Sequence, residues 1–260
     1  MRFVSPLLKR VVYPCLAGAG YFRRVTRPGL AVITYHGVLP SGYKPIDPGF
    51  DGSLITAETF RQQLRLLKTE YAVISLDEKQ SWCQNGGEFP ARPTLLSCDD
   101  ELLNKPTEML PILQDESLQC LFFVAGASIS DQPTMFWYEE LLLLILRAPA
   151  GDFKISDAGI EVCGALGQGE QRRTLWWSAV KRLSQVDAES RERFLHVAHS
   201  YFGMGRPLEY FLATYPGTRH HFSLLTREKL QQMAAAGMTI GAHTLAHPIL
   251  ARQSPERACS

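Results

Sequence analysis

Thr94-Leu95-Leu96-Ser97-Cys98-Asp99-Asp100 leads a short apolar or weakly polar run into two adjacent carboxylates. Such a run reads as a buried strand whose end opens into a site. Two neighbouring carboxylates are costly to bury unless they are paired or hold a metal. Far downstream, Gly241-Ala242-His243-Thr244-Leu245-Ala246-His247-Pro248 offers two imidazoles four residues apart. Histidines at that spacing share one face of a helical turn and can grip one ion. A carboxylate from a neighbouring strand end completes three protein ligands and leaves a fourth position for water. Water on such an ion has a pKa of about 7. A second carboxylate beside the metal, but not on it, can take the water's proton. Successive residues at a strand end point to opposite sides, so Asp99 and Asp100 can divide these two tasks. Each motif alone is weak: Asp-Asp is usually a turn, and His-x-x-x-His is usually surface or core. Both at the ends of expected strands in one chain point to a metal-dependent hydrolytic site.

The elements that must position these residues follow from periodicity. Leu30 to His36 reads as a short buried strand ending at the Gly37 turn, with His36 at the end where parallel α/β folds carry their sites. A satisfied core or loop histidine is the commoner reading of His36 by itself. Pro40 to Ser53 is rich in Pro, Gly and Asp and reads as a loop. Thr56 is placed to cap a helix to about Thr69, with Phe60, Leu64 and Leu67 inward. Further strands are expected near 71–76, 94–98, 120–124 and 238–242, with helices over 77–85, 106–114 and 226–236. Residues 132–222 interrupt this alternation as a mostly helical insertion with a hairpin near 152–163. It reads as a packed subdomain, with a wall or lid over the site as the sharper alternative. The fold class is therefore α/β.

Bulk composition narrows the rest. The chain has 260 residues, 45% hydrophobic and 20% charged, and a net charge of +1. That balance is ordinary for a globular protein and gives no argument for a nucleic-acid partner. The cysteines at 15, 83, 98, 120, 163 and 259 form no Cys-x-x-Cys. A disulfide framework is not needed at this size. Residues 1–29 form a basic arm, with no acid before Asp47. The apolar piece Val11 to Phe22 is too short to span a bilayer and is broken by Pro14. The arm has the rough outline of a signal peptide around Ala17-Gly18-Ala19. The broken core favours instead a cytoplasmic or membrane-peripheral chain, with the arm against the protein itself or an anionic membrane face.

The motifs resemble the polysaccharide deacetylases of carbohydrate esterase family 4, the NodB-homology domain. The family's Thr-Phe-Asp-Asp-Gly is similar to Ser97-Cys98-Asp99-Asp100-Glu101, and its His-Ser/Thr-x-x-His to His243-Thr244-Leu245-Ala246-His247. Pro111-Ile112-Leu113, Cys120-Leu121-Phe122-Phe123-Val124 and Ile33-Thr34-Tyr35-His36-Gly37 are also similar to family segments. The resemblance covers about 30–126 and 223–252. It implies a distorted (β/α) barrel over 30–260, carrying the helical insertion 132–222 and incomplete at its C-terminus. It implies that Asp99 is the general base and that Asp100, His243 and His247 bind a divalent metal, expected to be Zn2+. The implied reaction is removal of N-acetyl, or O-acetyl, groups from a carbohydrate polymer, with metal-bound water as nucleophile. The metal and a backbone N–H would stabilise the oxyanion.

Three departures bear on that expectation. Glu101 replaces the motif glycine, adding a carboxylate beside the metal and removing glycine's backbone freedom. Ser97-Cys98 replaces Thr-Phe. No residue answers to the family's later arginine and general-acid histidine, and only five barrel-like strands can be found, so C-terminal truncation is expected. The competing reading is a catalytically impaired remnant of the same fold that binds carbohydrate or acts as a scaffold. An unrelated hydrolase built on His220 and His221 is a third reading. That pair is expected on a solvated loop after Pro216-Gly217.

Overall fold

A computed structural model describes residues 8–20, 29–43, 54–86, 88–100, 102–129, 135–157, 159–203, 205, 207–214, 216, 222–245 and 248–258. Glu101, His220, His221 and His247, all named above, lie outside the described residues.

Along the chain, the short helix α1 (Tyr13–Gly18) precedes strand β1 (Ala31–Tyr35). A small parallel pair follows, β2 (Val38–Leu39) and β3 (Ile55–Thr56). Helix α2 (Ala57–Glu70) starts where the Thr56 hydroxyl accepts the Thr59 N–H at 3.1 Å. Phe60, Leu64 and Leu67 on it are buried, as their 3–4 residue spacing requires. Strand β4 (Ala72–Ile74) leads to α3 (Leu76–Asn85), whose Ser75 and Glu78 form a capping box. Gly86 ends α3 at φ +67°, the left-handed position that suits glycine. Next come β5 (Pro93–Cys98), a wide turn over Lys105–Met109 continuing as α4 (Leu110–Asp115), and β6 (Leu121–Val124).

The excursion that follows contains α5 (Trp137–Arg147), the antiparallel hairpin β7 (Gly151–Asp157) and β8 (Ile160–Leu166), then α6 (Gly169–Leu183), α7 (Ala188–Phe202) and α8 (Pro207–Thr214). Helix α9 (Arg227–Ala235), capped by Thr226, turns at Gly237 into β9 (Thr239–Ala242).

Strands β1, β4, β5, β6 and β9 form one parallel sheet. These are the five strands the sequence pattern predicts. β5 is central and all six of its residues are buried, as a strand covered on both faces must be. β1 pairs along it from Ala31↔Thr94 to Tyr35↔Cys98. β4 pairs its first half and β6 its last two residues, Ser97 and Cys98. β9 pairs β6 through Val124↔Ala242.

The expected barrel is not what the sheet forms. Among the described residues β1 and β9 do not pair with each other, so the sheet stays open. Closing a sheet needs enough tilted, staggered strands to bring its edges together, about eight in (β/α) barrels. Five strands do not reach around.

Two apolar cores are present among the described residues. One joins the sheet to α2, α4 and α9 through Phe60, Leu96, Met109, Leu113, Phe122 and Met233. The other lies within the excursion, where Leu141, Leu144, Phe153, Leu175, Phe194 and Phe222 meet.

Candidate active site

In a parallel sheet every strand delivers its C-terminal residue to the same edge, and here that edge gathers the chemistry. Asp99 N–H donates to the Tyr35 carbonyl at 2.9 Å, which sets Asp99 beside the Tyr35–His36 junction. On the far side, His243 N–H donates to the Val124 carbonyl at 2.9 Å. β6 lies between β5 and β9, so two strand spacings, about 10 Å, separate the ends that carry Asp100 and His243. His36, Asp99, Asp100 and His243 are all half-buried.

The backbone here is specialised. Asp100 sits at φ +71° and Thr244 at φ +64°, in the left-handed region that non-glycine residues seldom enter. Such outliers persist where the surroundings over-determine them; Arg92 and Ser117, at turns that precede β5 and β6, share the conformation. The histidine spacing predicts a helical turn from His243 onward. Instead Thr244 winds the chain the other way and its carbonyl accepts the Gly126 N–H at 3.0 Å.

Two residues that sequence reasoning misses hold the carboxylate turn. Lys105 has no exposed surface, and its Nζ donates to the backbone carbonyls of both Asp99 and Asp100. Asn104 is also buried; its Oδ1 accepts the Val38 N–H at 3.4 Å, and its Nδ2 has no partner among the described residues. Asn104 packs so closely on Gly37 that a Cβ there would lie 2.6 Å from Oδ1, and Gly37 has φ +153°. Only glycine fits that turn after His36. Beyond Asp100, Leu103 N–H donates to the Ser223 carbonyl at 2.8 Å, and Leu102 forms an antiparallel bridge with Leu224. The carboxylate turn and the approach to α9 and β9 are thus pinned together. The sequence carries only a weak signal for Lys105. A lysine at the start of a helix opposes the helix dipole, so it needs another reason to be there.

The last residues of β1 and β5 are buried in the apolar core. The Tyr35 phenol packs edge-on to Phe60, ring centroids 4.9 Å apart, and burial pushes its pKa up to about 12. Burial likewise pushes the Cys98 thiol up to about 12, against the partial opposing effect of Lys105. Neither group ionises near neutral pH. The cleft between β8 and α6, lined by Cys163, Gln171, Thr174 and Ser178, contains none of the site residues.

A carboxylate and an imidazole at one edge suit a zinc-type ion by donor chemistry. Among the described residues, no three His, Cys, Asp or Glu side chains gather into a metal-binding group. Asp100 and His243 are two members of the expected triad; the third, His247, lies outside the described residues.

Fold and site together define a parallel α/β protein with an acid-and-imidazole edge. No family model matches the chain, and no curated protein of similar sequence is found. Its structure is similar to those of solved deacetylases. The deacetylase PplD of Streptococcus pyogenes, solved with acetate, is 15% identical over 89% of this chain and 63% of that one, with a TM-score of 0.45. A de-N-acetylase from Aggregatibacter actinomycetemcomitans is 15% identical over 82% and 54%, with a TM-score of 0.40. The BpsB deacetylase domain of Bordetella bronchiseptica is 17% identical over 82% and 54%, with a TM-score of 0.37. The chain therefore spans 54% to 63% of the length of these proteins. All three TM-scores are below 0.5, so the weight falls on the site's own residues.

Proposed function

We propose that this chain is a metal-dependent hydrolase that removes N-acetyl, or O-acetyl, groups from a carbohydrate polymer. The observation that carries this is the shared edge: Asp99, Asp100 and His243 all leave parallel strands at one end of one sheet. Asp100, His243 and His247 would hold the ion, with Zn2+ the expected metal. A divalent ion there supplies a Lewis acid that polarises the acyl carbonyl and makes water a better nucleophile. Asp99 is the general base: it accepts the proton that the attacking water loses. Its main chain is fixed by the Tyr35 carbonyl and by Lys105, which limits how far the carboxylate can stray.

A second reading keeps the site and drops the turnover. Glu101 stands where the resembling motif has glycine and adds a third negative charge next to the pair. In that reading the chain binds carbohydrate without deacetylating it.

Zinc content and acetate release separate the readings. One equivalent of zinc in the wild type, lost in His243→Ala and Asp100→Ala, is expected. Release of acetate from an acetylated chito-oligosaccharide, falling by about 10²–10⁴-fold in Asp99→Asn, is expected for the hydrolase. Zinc without acetate favours the carbohydrate-binding reading. No zinc, with the wild type folded, ends the hydrolase reading.

A further inference from the structure

We infer that Lys105 is the positioning residue of this site: its buried ammonium clamps the carbonyls of Asp99 and Asp100 and sets the carboxylate pair. The inference deepens the metal-hydrolase reading and rests on it for the site's purpose. Lys105 has no exposed surface, and its Nζ reaches both carbonyls. An ammonium is expensive to bury without such partners, and charged donors make the stronger hydrogen bonds. The carbonyls gain as well. They lie just past the end of β5, where the strand ladder stops, and Asp100 has turned into the left-handed region. A single cation bonded to two successive carbonyls fixes both peptide planes, which a neutral donor with one contact does not. The root of Lys105 is fixed in turn. Asn104 bonds β2 through Val38, and Leu103 bonds Ser223. The clamp thus ties the base, the ligand and the approach to the His243 strand into one unit.

A plain alternative is that Lys105 only offsets the negative charge of the two aspartates. The two roles predict opposite signs. Removing a cation from beside a metal site tightens metal binding if charge alone matters. Removing a clamp loosens it, even though a repelling charge has gone. Lys105→Met retains an unbranched side chain without the ammonium, and Lys105→Gln keeps a shorter neutral donor. Chelator competition on the metal-free full chain is expected to show zinc binding weakened about 10–100-fold in Lys105→Met, the range for second-layer partners of metal ligands. Lys105→Gln is expected between that variant and the wild type. Unchanged or tighter binding overturns the inference.

A second readout needs no metal. Amide exchange at Asp99 and Leu103 is expected to quicken at least about tenfold in Lys105→Met, since local opening sets those rates. Exchange at Ala148, bonded to Leu144 in the excursion, is expected to hold steady. Unchanged exchange at Asp99 and Leu103 overturns the clamp. If the wild type takes up no zinc, the proposed function fails, and the exchange measurement alone decides the clamp. If Lys105→Met does not fold, Lys105→Gln carries both measurements.

Discussion

Cys98 and Cys120 show how the surroundings of a residue decide its chemistry. Both are buried in the sheet core; burial pushes the Cys98 thiol up to about 12 and Cys120 well above its ordinary range. The reactive form of a thiol is the thiolate, so both are expected to be inert in the folded chain. Cys15, Cys83 and Cys163 are exposed. An alkylating reagent at pH 8, read by peptide mass mapping, is expected to label these three promptly. Cys98 and Cys120 should react only after denaturation; prompt labelling of Cys98 would contradict the buried strand. Residue type and spacing are enough to single out Asp99, Asp100 and His243 in the sequence. Lys105 and Asn104 do not stand out in the same way, because a buried lysine reads as a surface lysine until its neighbours are known. The left-handed turn at Asp100 is hidden too, since aspartate enters that region more often than most residues but still only occasionally.

At the scale of elements, periodicity predicts the five sheet strands and most helices to within a few residues. The N-caps at Thr56 and Thr226 are present. What periodicity does not reveal is closure, because strand count is local information while barrel closure depends on all strands at once. It also misses the ionic joint between α2 and the end of α4. Glu116, with only 9% of its side chain exposed, takes Arg65 Nε at 2.8 Å, Lys68 Nζ at 3.3 Å and Arg61 Nη1 at 3.4 Å. The bond from Arg65, followed by Lys68, holds its carboxyl below the usual range despite the opposing effect of burial. A carboxyl with a lowered folded pKa adds stability above its unfolded pKa, about 4.3 for Glu. That contribution fades as pH falls through the unfolded value and on toward the folded one. The melting temperature of the wild type is therefore expected to drop between pH 5 and 3 more steeply than that of Glu116→Gln. Parallel curves would show that the joint contributes nothing.

For the whole molecule, the two apolar cores share no buried residue, so damage to one should not spread evenly. Phe194 is fully buried among Leu and Phe side chains of the excursion. Phe194→Ala removes those contacts and leaves a cavity, a change worth about 3–5 kcal/mol. Calorimetry is expected to show the excursion melting earlier, while a probe of the sheet, such as protection of the Cys98 thiol, persists to higher temperature. A single transition shifted as a whole would instead mean that the cores act as one cooperative unit.

The pairing of β6 with β9 spans residues 125–238, all of which must be bridged before Val124 meets Ala242. Bringing distant segments together costs entropy that grows slowly with the length of loose chain, about 0.6 kcal/mol per doubling. A stretch that first condenses on its own core shortens the effective tether. During refolding the aspartate side can therefore form early from neighbouring strands. The imidazole side is expected to arrive only after the helical excursion has collapsed, so the insertion point of that excursion sets the expected order in which the two halves of the edge assemble.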